Sequence, residues 1–231
     1  MNNYFKHTTR ALAVLIDPDK SDNVYLLSLL ENDHLIDFYF VGGSLVTNYR
    51  FDEVITLIKK HSTKPVIIFP ASGMHVSAEA DAILVLSLIS GRNPEYLIGQ
   101  HVLAAPIIKA AKLTTIATGY MLIDGGNVTT ASYISNTTPI PSDKADIAVC
   151  TALAGEMLGL QSLFLDGGSG ANNTVPIAMI KKVKATVSLP IIIGGGIKTV
   201  QQAHEIWEAG ANVVVIGTAI EGNVDLLKDF I

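Results

Sequence analysis

Eight short apolar runs separated by stretches of helical period predict an α/β fold: a single (β/α)8 TIM barrel over residues 1–231, with a short or missing third helix. Three observations carry this expectation. The runs are near-continuously apolar rather than alternating, as parallel strands buried on both faces require. Amphipathic segments lie between most of them. Eight such units in 231 residues also match the size of a closed barrel. An open doubly wound sheet is the alternative topology.

The first run, 11–16, stops at Asp17-Pro18 and is followed by a helical stretch at 23–31. The second, 37–41, ends at Gly42-Gly43-Ser44. A helix over 50–60 then places Phe51, Val54, Ile55 and Ile58 on one face, with Asp52, Lys59 and Lys60 elsewhere. Runs at 65–69 and 82–87 leave only 70–81 between them. That segment carries Pro70, Gly73 and little apolar periodicity, barely the dozen or so residues a crossover needs. Its helix is therefore expected to be vestigial, leaving one flank of the barrel uncovered. A helix at 101–112 leads to the run 114–119. The next step holds a long polar loop, 124–142, of the length usually found in lids or binding loops, and then a helix at 143–158. The remaining runs, 162–165, 190–194 and 213–217, alternate with helices at 175–186 and 199–209, and 224–230 can close the chain as a final helix.

Composition narrows the function classes. The net charge is −5 and charged residues are 16% of the chain, against about 25% in typical domains. This excludes disorder and a nucleic-acid binder driven by a basic surface. Mean hydropathy is +0.40, yet the most apolar stretches reach only about half of the roughly 18–20 residues a membrane span requires. The start, Met1 to His7, has no apolar core and is not read as a secretory signal. The single cysteine, Cys150, excludes an internal disulfide and sits among apolar neighbours, so it is expected to be buried. A soluble, cytoplasmic protein is the resulting expectation.

Chemistry in such a barrel gathers where strands end. Gly194-Gly195-Gly196 follows the seventh strand and Gly217-Thr218 the eighth, the usual phosphate site of these barrels. The alternative is that these glycines only make tight turns. Asp166-Gly167-Gly168-Ser169-Gly170 adds a carboxylate and a hydroxyl after the sixth strand, where Asp166 is placed toward the ligand or, alternatively, serves as a turn aspartate. Asp17 at the first strand end faces Ser44 at the second. One carboxylate and one hydroxyl suit Mg2+, which keeps waters and borrows substrate phosphate oxygens. Asp19 and Lys20 read as turn and helix cap. The six histidines show no paired metal spacing, and His75 reads as a solvated loop residue. Nucleotide-binding loops and nucleophile elbows are absent.

These motifs, taken in order, resemble the geranylgeranylglyceryl phosphate synthase family, which includes the bacterial heptaprenylglyceryl phosphate synthases. The resemblance spans nearly the whole chain. It rests on Leu15-Ile16-Asp17-Pro18-Asp19-Lys20, Val41-Gly42-Gly43-Ser44, Ser90-Gly91-Arg92-Asn93-Pro94-Glu95-Tyr96-Leu97-Ile98-Gly99, Thr118-Gly119-Tyr120, Ala152-Leu153-Ala154-Gly155-Glu156, Gly168-Ser169-Gly170-Ala171 and Gly194-Gly195-Gly196-Ile197. It implies transfer of a long prenyl group, such as geranylgeranyl, from its diphosphate to the C3 hydroxyl of sn-glycerol 1-phosphate. The products would be an ether-lipid precursor and diphosphate. It further implies Mg2+ at Asp17 and Ser44, and glycerol-phosphate contacts at Phe164, Leu165, Asp166, Gly167, Gly168, Ser169, Gly170, Gly195, Gly196, Gly217 and Thr218. Homo-oligomers, dimeric or hexameric, are implied too, with transient contact to a membrane surface for the lipid product. Three positions depart from the family, which typically has Tyr, Glu and Asn where this chain has Phe164, Asp166 and Thr218. Asp166 is expected to act as general base on the attacking hydroxyl. The alternatives are a barrel isomerase or aldolase acting on a phosphorylated metabolite, and a phosphate-ester-binding barrel without turnover. The prenyl chain is expected along the uncovered flank.

Overall fold

The structure is a computed structural model that describes residues 4–48 and 50–230; Met1 to Asn3, from the stretch read above as lacking a signal, lie outside them. Its strands are β1 (Ala11–Ile16), β2 (Phe38–Gly42), β3 (Val66–Phe69), β4 (Ala82–Leu88), β5 (Thr114–Leu122), β6 (Ser162–Asp166), β7 (Ile191–Gly194) and β8 (Val213–Ile216). All pair in parallel in sequence order, and β8 closes on β1. The helices are α1 (Asn23–Leu30), α2 (Phe51–His61), α3 (Gln100–Ala111), α4 (Thr130–Ser135), α5 (Ala145–Met157), α6 (Ile177–Thr186), α7 (Val200–Glu208) and the single turn α8 (Thr218–Glu221). The open doubly wound alternative is excluded by closure.

Alternation along each strand explains the apolar runs. Ala11, Ala13, Phe40, Ile67, Leu84, Ile116, Phe164, Ile192 and Val215 fill the barrel interior. Their neighbours Leu12, Val14, Val41, Ile68, Ile83, Leu163, Ile193 and Val214 face the helices. Both faces are buried, so the strands are mostly apolar, and the buried hydroxyls of Thr118 and Ser162 satisfy each other at 2.8 Å. Phe5 plugs the end where the strands begin, fully buried and edge-on to Phe38 at 5.4 Å between ring centroids. Trp207 closes the same end by donating its indole N–H to the Ala11 carbonyl at 3.1 Å.

Between β3 and β4 no helix forms among the described residues. The short crossover instead folds onto the start of α3, where the Gly73 N–H donates to the Gln100 side chain at 2.8 Å. Asp81 fastens the segment's end by accepting from Lys59 at 2.7 Å and from the Val66 N–H at 2.8 Å.

Several expectations need correction. Segment 124–142 is not structureless: α4 lies inside it, its start held by a reciprocal Thr129–Ser132 capping box. Cys150 is exposed, because α5 turns Ala148, Ala152 and Gly155 inward and leaves Cys150 on the other side. Residues 224–230 form 3-10 rather than α-helical turns. Finally, β5 continues past Gly119 to Leu122.

Candidate active site

At the carboxyl ends of the strands lies a cavity of about 590 Å3. Its floor and walls are the turns after β6, β7 and β8, with Asp17 and Asp19 after β1 and Gly43-Ser44 after β2. Of the residues singled out in the sequence, Phe164, Asp166, Gly168, Ser169, Gly170, Gly195, Gly196, Gly217, Thr218, Asp17 and Ser44 line this one cavity. Leu165 and Gly167 are not part of the lining. Leu165 faces the helices, as β6 alternation dictates, and the Gly167 N–H is spent on the Gly194 carbonyl at 3.0 Å.

Asp166 is the buried carboxylate of this mouth, 9% exposed. Its Oδ1 accepts the Gly168 N–H at 2.7 Å and its Oδ2 accepts the Tyr120 hydroxyl at 2.5 Å. Burial pushes its carboxyl above the ordinary aspartate value, and the Tyr120 and Gly168 hydrogen bonds pull it partly back. Gly195 makes this arrangement possible. Its φ is +82°, and a Cβ there would sit 2.6 Å from the Asp166 Oδ1 and 2.4 Å from the Gly168 nitrogen. Ser169 and Thr218 bring their hydroxyls within 3.3 Å of each other across the β6 and β8 turns, on the same side of the mouth.

Across the mouth, Asp17 is half-buried and accepts the Asp19 N–H on Oδ1 at 3.0 Å. Its Oδ2 meets Lys20 at 3.5 Å, and Lys20 reaches Glu221 of α8 at 3.4 Å. Asp19 does not cap the following helix; Asp22 does, accepting the Tyr25 N–H at 2.8 Å. Asp19 instead clasps the loop after β2, taking the Thr47 N–H and hydroxyl and the Asn48 N–H. Desolvation pushes its carboxyl up, but those three bonds and the nearby His75 together hold it below the ordinary value. His75 is half-buried rather than solvated, stacked on Phe51 at 5.3 Å, and burial lowers its pKa.

Among the described residues no cluster of three His, Cys, Asp or Glu side chains could enclose an ion. One accessible carboxylate beside Ser44 fits a hard cation that completes its shell with water and phosphate oxygens, which is the habit of Mg2+.

A second cavity, of about 510 Å3, opens beneath the missing helix. It runs from Phe69, Gly43 and Ser44 along the flank of β4, under Ala104 and Ile108 of α3, to Lys109 and Lys112 at the far end. Gly43, Ser44 and Phe69 line both cavities. The α4 segment overhangs their junction, with Thr130 on the mouth and Ala131 and Ile134 on the groove. Sequence reasoning missed Tyr120 and Phe69 as site residues. Their signal was positional: each occupies an interior-facing place at a strand's carboxyl end.

The model of the PcrB family matches residues 6–231. A protein named geranylgeranylglyceryl phosphate synthase in Spirosoma linguale is 53% identical over 220 residues, covering 94% of this chain and 88% of the relative. One of the same name in Korarchaeum cryptofilum is 41% identical over 94% of this chain and 89% of the relative. Among solved structures, (S)-3-O-geranylgeranylglyceryl phosphate synthase from Thermoplasma acidophilum, in complex with sn-glycerol-1-phosphate, superposes with a TM-score of 0.90. It is 32% identical and the match covers 98% of this chain and 92% of that one. Barrel, strand-end turns and full-length similarity agree with the motif-based resemblance, and the chain belongs to the PcrB family.

Proposed function

We propose that the protein is a Mg2+-dependent prenyltransferase joining a long prenyl group from its diphosphate to the C3 hydroxyl of sn-glycerol 1-phosphate. One observation supports this most strongly: a polar mouth and an apolar groove share the lining residues Gly43, Ser44 and Phe69. A phosphorylated polar acceptor and a long apolar donor are the pair such a site accommodates. The relatives' names and the glycerol-phosphate complex of the Thermoplasma enzyme support the same reading.

In this reading the turns after β6, β7 and β8 cradle the acceptor's phosphate with backbone N–H groups and the Ser169 and Thr218 hydroxyls. Lys198, on the mouth's rim, adds a positive charge beside them. The donor's diphosphate lies opposite, toward Asp17 and Ser44, which would hold the Mg2+. The bound ion supplies neutralisation of the leaving diphosphate. Asp166 accepts the proton of the attacking hydroxyl. The glycerol oxygen bonds to the allylic carbon as that carbon's bond to diphosphate breaks, its electron pair leaving with diphosphate. The prenyl chain occupies the groove, where each buried CH2 contributes about 0.8 kcal/mol. The seven residues of β4 rise about 23 Å, wall enough for a long chain. A homo-oligomer, and transient contact with a membrane surface on product release, complete the proposal. Ile147 and Met157 on α5, Leu158 just after it, and Val102, Leu103 and Ile107 on α3 offer the exposed apolar surface for such contacts.

The test is direct. Labelled sn-glycerol 1-phosphate is incubated with geranylgeranyl diphosphate, with and without EDTA, and extracted into organic solvent. Label should pass to the organic phase only when metal is present. Acceptor binding without conversion would instead favour the non-catalytic barrel.

A further inference from the structure

Tyr120 belongs to neither cavity alone. It sits on β5 inside the barrel, lines the upper end of the groove, and sends its hydroxyl to the Asp166 carboxylate in the mouth at 2.5 Å. Its ring is held edge-on between Phe69 of β3, at 5.8 Å, and Phe164 of β6, at 5.6 Å. Those two rings are themselves in edge contact at 5.4 Å. Three mutually packed rings leave the phenol little freedom to move. The hydroxyl is thus a fixed donor aimed at a carboxylate oxygen.

We propose that Tyr120 is a positioning residue for the transfer, holding the Asp166 carboxylate in the orientation that receives the acceptor's proton while its ring walls the junction of groove and mouth. This rests on the reading of Asp166 as the base. A carboxylate oxygen has about two acceptor sites. With the Gly168 N–H on Oδ1 and the Tyr120 hydroxyl on Oδ2, each oxygen keeps one site, and the plane of the group is fixed from both ends. Without the tyrosine only the backbone bond remains, and the side chain can rotate about it. Tyr120 is not the base itself. Burial and the adjacent Asp166 charge hold its phenol well above its ordinary pKa, so it keeps its proton and acts as donor. The other charged groups on the mouth are Asp17, Asp19, Lys20, Lys198 and Glu221, whereas the rings packed on Tyr120 carry no charge.

The experiment compares Tyr120→Phe, Asp166→Asn and the double variant in the transfer assay across pH. Tyr120→Phe keeps the packed ring, so its thermal transition should stay close to that of the unaltered protein. Its kcat should fall about 10- to 100-fold, the scale of a misplaced catalytic group. KM for prenyl diphosphate should remain within about twofold, since the same ring still lines the groove. The acid limb of kcat should move to higher pH, because a donor that favours the ionised carboxylate has been removed. The double variant should be no slower than Asp166→Asn alone. A Tyr120→Phe protein with unchanged kcat and pH profile, beside an impaired Asp166→Asn, would overturn the positioning role only. Fully additive losses in the double variant would overturn it as well. Unchanged turnover in Asp166→Asn would overturn the base assignment beneath it.

Discussion

Asp166 has two competing demands upon it, and they give opposite signs in two measurements. Its carboxyl is buried and its pKa is raised, so the ionised form is less favourable in the folded protein than in the unfolded chain. The stability that a raised carboxyl pKa allows is present below the unfolded value and is lost as pH rises through the folded one. Asp166→Asn should therefore gain thermal stability relative to the unaltered protein as pH climbs above the ordinary aspartate value of about 4, measurable by melting at a series of pH values. The same variant should lose about 10²–10⁴-fold in kcat, the usual contribution of a general base, with prenyl diphosphate affinity intact. Asp166→Glu should retain turnover, since it keeps the carboxylate. At this scale the strand-end carboxylates were legible because each stands where an apolar run meets a proline or a glycine turn. Tyr120 was not, because Gly119 read as a strand end. In the fold Gly119 is simply the residue with room for no side chain beside Ile89, Leu160 and Leu163.

The β7 turn is the element on which the acceptor site depends. Gly195 has a φ of +82° and no space for a Cβ between the β6 turn and Asp166. Gly195→Ala should destabilise by about 1–3 kcal/mol from backbone strain alone. It should also raise the KM for glycerol phosphate more than that for the prenyl donor, because the displaced atoms are Asp166 Oδ1 and the Gly168 nitrogen. Denaturant titration and steady-state kinetics on both substrates would check the two parts. Element positions were well legible, since strands buried on both faces write unbroken apolar runs. Helix faces were less so. On α5 a mixture of small and apolar residues gives no clear polar side, and only the spacing of Ala148, Ala152 and Gly155 shows which way Cys150 points. The capped α4 was hidden in a polar segment because a six-residue helix has too few turns to show a period.

At the scale of the whole molecule the barrel is closed at one end, open at the other, and uncovered on one side. The closed end depends on Phe5, fully buried beneath the strands. Phe5→Ala should cost about 3–5 kcal/mol in a chemical denaturation. The uncovered side follows from a crossover too short to carry a helix, and it could be read from the spacing of two strands. The depth of the groove could not, because it depends on how α3 leans over β4. Enlarging Ala104, which lines the groove on the underside of α3, should shorten the usable donor. Ala104→Phe should lose turnover with a twenty-carbon diphosphate while a ten-carbon one is still accepted. The flank left bare by the missing helix should receive the prenyl chain of the reaction carried out at the mouth. Donor-length dependence of kcat/KM in the unaltered protein tests it most directly, with sn-glycerol 1-phosphate saturating and Mg2+ present. The value should rise by orders of magnitude from a five-carbon to a twenty-carbon diphosphate, and equal values for the two would mean that the groove does not receive the chain.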